Sequence, residues 1–338
     1  MANKKGVSVI ICTYNGAKRL PSTLAHIAAQ EVSDSIDWEV ILIDNNSKDG
    51  SGLVARELWE KAALNVPFSL FVEPNAGLSH AKARGLKEAQ KSYLIYVDDD
   101  NSISSNYVQE VFDIFEAYED VAVCAGDGFL AVPEEFDLPT WWEKFQYAYA
   151  VGRQGEKKGY SDRSFLWGAS SAFRVSALKE LYDLHELYLT GRIGDKLTAG
   201  EDAELCMSLQ LLGYRLFYSP KLRFEHHIPI DRMTREYLRK VQAGFGASSV
   251  ILSIYSDLLK ERKTAWKTAY QAAKRGVFRK RIRLLQTGGE LAKDIAANLS
   301  YSKARRDELR RFKTQYNATY DLLKDRFKLT KENKIYAH

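Results

Sequence analysis

"SYLIYVDDDNSIS", residues 92–104, ends an apolar run in three adjacent carboxylates, Asp98, Asp99 and Asp100. Like charges this close repel one another by roughly several tenths of a kcal/mol even in water, and more where solvent is thin. A buried strand that finishes this way is either a very polar turn or a place where something cationic sits. An EF-hand does not fit: counting from Asp98, the sixth position is Ile103 rather than Gly and the twelfth is Gln109 rather than Glu. A Rossmann dinucleotide site does not fit either, because the first strand–helix turn, "CTYNGAKR", has one glycine where three are needed. No Walker A sequence occurs in the chain. What remains is a hard divalent cation held by one or two carboxylates, its other positions left for water and phosphate oxygens.

Upstream and downstream of this stretch, strand and helix signals alternate. "VSVIICTY", "WEVILID", "FSLFVEP", "YLIYVDDD" and "VAVCAG" are apolar enough to be buried on both faces. Between them "NGAKRLPSTLAHIAAQ", "GLSHAKARGLKEAQ" and "NYVQEVFDIFEAY" carry helical spacing. That pattern predicts an α/β fold with a mostly parallel sheet flanked by helices. In such sheets ligands bind beyond the carboxyl ends of the strands. Four polar clusters fall at four such ends: Thr13-Tyr14-Asn15, Asp44-Asn45-Asn46, Pro74-Asn75-Ala76-Gly77 and Asp98-Asp99-Asp100. Residues 131–200 read as less regular and aromatic-rich. "EDAELCMSLQLLGYRLFYSPKLRFEHHIP" then predicts a helix closed at Gly213 and two short strands.

Charge divides the chain. Residues 1–230 carry 23 Lys and Arg against 33 Asp and Glu; residues 231–338 carry 26 against 11. The expectation is an acidic body over 1–230 and a basic, mainly helical C-terminal extension over 231–338. Cys12, Cys124 and Cys206 sit in apolar stretches without CxxC pairing, as reduced core thiols of a cytoplasmic chain do. The N-terminus lacks a signal-peptide cleavage region, and no run approaches the ~18 apolar residues of a membrane span. In the extension, "KRGVFRKRIRLLQ" interleaves Val277, Phe278, Ile282, Leu284 and Leu285 with six Lys or Arg. Such a stretch suits an anionic membrane surface, which would make the protein peripheral at the inner face of the membrane; a solvated helical extension or an oligomer contact is the other reading. No nucleic-acid-binding motif is recognised.

Taken together, "VSVIICTYNGAKRL", "ILIDNNSKDGS", "EPNAGLSHAKARGL", "YLIYVDDDNSIS" and "GEDAELCMSLQLLGYRLFYSP" resemble a family 2 glycosyltransferase over about residues 6–230. The resemblance implies the GT-A fold and an inverting, metal-dependent transfer from a nucleotide-sugar donor, UDP-sugar favoured, to a glycan or lipid-linked glycan in surface polysaccharide synthesis. It implies that Thr13, Tyr14 and Asn15 cradle base and ribose and that Asp44 accepts from the base. Asn75 and Gly77 would let backbone pass close to the nucleotide, with Arg84 facing the donor. Asp98 would bind ribose or sugar hydroxyls, with Asp99 beside it, and Asp100 would ligate Mn2+ or Mg2+.

Read alone, Glu201-Asp202 at the start of a helix is a cap that favours the helix dipole. The resemblance makes Asp202 the catalytic base and Glu201 its neighbour, positioning it or binding acceptor. His226 and His227 follow the last strand as metal-ligand candidates; alternation along a strand points them apart, so one is expected to bind, and His226 is favoured. Trp167 in "FLWGASSAFRV" would stack on a sugar face. Gly191, Gly194 and Gly200 in "LTGRIGDKLTAGED" are candidate hinges of a loop over the acceptor. Two rival functions remain: a nucleotidyltransferase, which would want a glycine- and lysine-rich loop where "CTYNGAKRL" stands, and a silent nucleotide-binding scaffold.

Overall fold

The computed structural model describes residues 4–191 and 199–335. The first half alternates β1 (Lys4–Thr13), α1 (Leu20–Ala28), β2 (Trp38–Asp44), α2 (Ser51–Ala62), β3 (Phe68–Val72), α3 (Leu78–Glu88) and β4 (Lys91–Asp98). The chain continues through β5 (Asn101–Ile103), α4 (Tyr107–Ala117), β6 (Val121–Ala131), α5 (Trp142–Phe145), β7 (Gly159–Tyr160), β8 (Ala172–Arg174) and α6 (Val175–Leu184). Then come α7 (Glu201–Leu211), β9 (Arg215–His227) and four helices, α8 (Arg235–Leu259), α9 (Trp266–Leu285), α10 (Gly289–Arg311) and α11 (Tyr316–Ile335).

Among the described residues the strands form one mixed sheet in the order β3-β2-β1-β4-β8-β6-β9-β5, with β7 on β9. The first four are mutually parallel. β8 lies antiparallel between β4 and β6, and β6 and β9 are parallel. Pleating sends alternate residues of β1 to opposite faces. Val7, Val9 and Ile11 join a core with α1, α2 and α4, while Ile10 and Cys12 join one with α3, α6 and α7. A strand covered on both sides needs the unbroken apolar run the sequence has here.

One expectation changes. The segment after Gly213 is one strand, not two; its pairing with β6 slips where Ser219–Leu222 leave the ladder, around Pro220, which has no N–H to give. The described residues of 131–200 hold short elements, as expected, apart from α6, whose Val175, Leu178 and Leu181 are buried at helical spacing.

The helices beyond residue 234 extend the second core. Val250, Ile251, Ile254 and Tyr255 of α8, and Tyr320, Leu323 and Phe327 of α11, share a buried cluster with Leu205 and Leu209 of α7. Thr234 starts α8 by accepting from the Tyr237 N–H at 3.2 Å. No described helix is long and apolar enough to cross a membrane.

Candidate active site

The parallel strands end at a cavity of about 1150 Å3. Thr13 and Tyr14 come from the end of β1, Asp98–Asp100 from the end of β4, and Gly77, Leu78 and Lys82 from the start of α3. Glu201 and Asp202 of α7 line it as well, with Trp167 and Gly168. Tyr237, Gln242, Phe245, Lys280 and Tyr301 of the C-terminal helices close it.

The three aspartates point in different directions and serve different partners. Asp99 is 7% exposed and accepts from Arg19 Nε (2.9 Å) and Nη2 (2.8 Å) and from the Thr13 hydroxyl (2.5 Å). A bidentate guanidinium pair with a third donor fixes a carboxylate inside the protein. Asp100 turns the other way. Its Oδ2 lies 3.7 Å from His226 Nε2 and 3.8 Å from Arg232 Nη1. Burial pushes the Asp100 carboxyl up, but His226 first and then Arg232 outweigh it and bring it down to about 2. Asp98 moves the opposite way: burial raises it to about 6, against the pull of Lys82.

The His226 Nδ1 lies 2.8 Å from the Tyr149 carbonyl oxygen, which can only accept. Nδ1 therefore carries a proton; burial lowers the His226 imidazolium, but Asp100 outweighs it and raises it, and Nε2, facing Asp100, is the nitrogen that would give up its proton to a cation. A carbonyl that orients a histidine in this way is the usual outer partner of a metal-binding imidazole. Among the described residues no three His, Cys, Asp or Glu side chains stand in metal-holding geometry. Asp100 and His226 thus fit a cation that takes its remaining ligands from diphosphate and water, as a hard cation commonly does.

Asp202, in the same cavity, is held by backbone. Its Oδ2 accepts from the Gly168 N–H (2.9 Å) and its Oδ1 from the Ala203 N–H (2.8 Å). A Cβ on Gly168 would come within 2.9 Å of Asp202 Cβ, so only glycine admits this approach. Burial raises the Glu201 carboxyl, and Lys82 opposes that. Burial lowers the Lys82 ammonium, but Glu201, Asp98 and Asp202 together raise it above its ordinary value, so it stays charged. Lys82 has no ion-pair partner within 4 Å among the described residues; its ammonium sits 5.6 Å from the centre of the Tyr96 ring.

Of the residues singled out in the sequence, Thr13, Tyr14, Gly77, Trp167, Asp98, Asp99, Asp100, Glu201, Asp202 and His226 line the cavity. Gly200 lines it too, and the Gly191 N–H donates to Ser79 Oγ (2.9 Å), whereas Gly194 lies outside the described residues. Five fall elsewhere. Arg84 pairs with Glu88 (2.7 Å) on the surface of α3 and lies over Phe71. His227 turns to Ser102 Oγ (2.9 Å), as strand alternation requires. Asn15 accepts the Lys48 N–H, Asp44 accepts the Ser47 N–H, and Asn75 donates to Glu73, so all three brace loops. Asn45, not Asp44, reaches the cavity, and its amide ties Glu73, Asn75 and Gly77 together.

Lys82 is the residue the sequence reading missed, and a signal for it existed. Ala81, Gly85 and Leu86 mark the packed face of α3, and Lys82 falls on that face where Arg84 does not. The aromatic and polar wall from α8–α10 had no local signal.

Residues 8–182, just over half of the chain, match the sequence model of the family described as "Glycosyl transferase family 2". The cholesterol galactosyltransferase of Borreliella burgdorferi is 36% identical over 126 residues, 37% of this chain and 33% of that protein. The chain thus spans about a third of that relative's length. The succinoglycan biosynthesis protein ExoM of Rhizobium meliloti is 25% identical over 279 residues, 80% of this chain and 82% of that protein. A mannosyltransferase structure from Pyrobaculum calidifontis, in complex with GDP-Man and Mn2+, is similar with a TM-score of 0.58 at 16% identity, over 91% of this chain and 89% of that one. At that identity the likeness speaks for the fold, which is the expected GT-A type.

Proposed function

The chain belongs to glycosyl transferase family 2, and from that premise we propose that it moves a sugar from a nucleotide diphosphate to a hydroxyl of a glycan or lipid-linked glycan, with inversion. Residues 1–230 form the catalytic unit in this reading, and 231–338 the extension that completes its acceptor side. Surface polysaccharide synthesis is the favoured setting, given the succinoglycan biosynthesis relative.

The observation that carries the reading is one cavity lined by two acidic centres. Asp100 facing an oriented His226 is one, and backbone-held Asp202 is the other. Asp100 and His226 would hold Mn2+ or Mg2+, which when bound supplies Lewis-acid stabilisation of the departing diphosphate. Lys82 adds a fixed positive charge to the cavity, so the leaving group departs against charge already in place. Asp202 takes the proton of the acceptor hydroxyl as its oxygen attacks the anomeric carbon. The bond from that carbon to the diphosphate oxygen breaks on the opposite face, which inverts the centre. The two backbone N–H groups on Asp202 keep its carboxylate fixed as an acceptor. Asp99 acts indirectly in this scheme: its bond to Arg19 holds the β4 turn so that Asp98 and Asp100 face the cavity. Trp167 offers a ring to the sugar.

The test is a thermal-shift panel of UDP, GDP and dTDP, each with and without Mn2+. A nucleotide at ~100 times its Kd stabilises by roughly 2.7 kcal/mol. A shift that needs Mn2+ and is lost in Asp100→Ala supports the reading and names the base, with UDP expected. No shift with any nucleotide under any metal condition would leave a silent scaffold as the better account.

A further inference from the structure

We propose that α9 docks the protein on an anionic phospholipid surface, with Phe278, Ile282 and Leu285 entering the interface between flanking arginines.

Phe278, Ile282 and Leu285 are spaced as one helical face and are 65%, 40% and 89% exposed. The side of α9 that packs inward is marked by Ala269, Ala273 and Val277. At about 100° per residue the exposed ridge stands about 150° round the helix from that packed side. It is therefore a second apolar face, turned away from the protein. Lys274 and Arg281 border it on one side and Arg275 and Arg279 on the other, all exposed.

Two observations select an anionic surface over other partners. Residues 266–285 contain seven Lys and Arg and no Asp or Glu. Elsewhere in the extension several cations are paired with acids: Arg235 with Glu290 and Asp294, Arg262 with Asp257, Lys263 with Asp321, Arg311 with Glu308. None of Arg275, Arg279, Arg281 and Arg283 has an acidic partner within 4 Å among the described residues. An apolar ridge between unneutralised cations matches the acyl boundary and phosphate layer of a bilayer, which binds by buried apolar area plus electrostatic attraction. Lys280, on the inner side of the same helix, lines the main cavity. Docking thus brings the helical wall of that cavity to the membrane and favours an acceptor anchored there; this consequence, unlike the docking itself, rests on the glycosyltransferase reading.

The full chain is tested by co-sedimentation with vesicles of phosphatidylcholine alone and of phosphatidylcholine mixed with phosphatidylglycerol. Binding is expected to the mixed vesicles only and to weaken as salt rises. Phe278→Ser with Leu285→Ser should weaken it by about tenfold or more. Arg279→Gln with Arg281→Gln should weaken it by about fivefold per charge. All four positions are exposed, so circular dichroism and nucleotide thermal shift should match wild type, which keeps failure of docking separate from failure of the proposed function. Equal binding by the serine variant, or no binding to mixed vesicles, overturns the proposal. So does a wild-type dimer in light scattering that the serine variant dissociates, since the ridge would then face a second copy. Retention on heparin equal to that on vesicles and insensitive to the serine changes also overturns it, leaving a plain electrostatic patch.

Discussion

Removing the charge of Lys82 would strand Asp98, Glu201 and Asp202 without the cation that offsets them. The carboxyls of Asp98 and Glu201, which Lys82 holds down, would then rise, and the departing diphosphate would lose a fixed positive neighbour. Lys82→Met is therefore expected to lower kcat by about 10²–10³, the scale of losing one preorganised charge-stabilising group, with Lys82→Arg partly restoring it. Steady-state kinetics on the two variants decides this; turnover within a few-fold of wild type in Lys82→Met would reduce the residue to a core counter-charge. Asp202→Asn makes a sharper cut. The amide oxygen can still accept from Gly168, with the bond from the Ala203 N–H lost to the amide nitrogen, but nothing takes the hydroxyl proton. Turnover should fall by ~10²–10⁴ while the Mn2+-dependent nucleotide shift persists; unchanged turnover would remove Asp202 as the base.

At the scale of elements, α6, α7, α8 and α11 are joined by one proton-ordered chain. Arg326 donates to His185 Nδ1 (2.7 Å), which leaves the histidine proton on Nε2 to face Tyr255 Oη (2.7 Å). Tyr255 in turn donates to Glu204 Oε1 (2.8 Å), and Glu204 also accepts from the N–H groups of Tyr188 and Leu189. Glu204 stands about one turn after Glu201 and Asp202, so this chain holds α7 in place. Burial raises the Glu204 carboxyl to about 7, and burial, then Arg326, lowers His185 to about 4. Folded Glu204 holds more proton than unfolded glutamate between its ordinary 4.5 and about 7, so its contribution to stability falls as pH rises through that window. Unfolded histidine holds proton that folded His185 lacks between about 4 and its ordinary 6.5, so its contribution rises with pH. The two oppose one another over most of this range. Relative to wild type, His185→Gln should lose stability as pH rises from about 4 to 6.5, and Glu204→Gln should gain it from about 4.5 to 7. Melting temperatures across that range check both signs; parallel profiles in all three proteins would sink the assignment. Nothing local in the sequence announces this chain, because its members lie 70 and 141 residues apart. The strand ends were legible for the opposite reason: apolar runs ending in Thr13 or in Asp98–Asp100 fix both the sheet and its ligand rim. What stayed hidden was phase. Two residues along α3 or one along β9 separate Lys82 from Arg84 and His226 from His227, and composition does not say which side faces in.

At the scale of the molecule, the charge division at residue 230 suggests a detachable tail, and packing argues otherwise. Val250, Ile251, Ile254 and Tyr255 of α8 are buried against the α7 face of the sheet core, and α8 and α10 close the cavity with Gln242 and Tyr301. Each large apolar side chain returned to water costs about 1.5–3 kcal/mol, so these four alone approach the ~5–15 kcal/mol that holds a typical domain folded. Losing Tyr255 would also leave Glu204 buried with one donor fewer. A chain cut after residue 234 is therefore expected to show no cooperative urea transition by circular dichroism and no nucleotide shift. A cooperative melt near wild type, with Mn2+-dependent nucleotide binding kept, would instead make residues 1–230 self-sufficient and the extension an addition to a complete enzyme. On the packing seen here the extension is part of the fold, which is why the docking face of α9 is probed by surface substitutions and not by deletion.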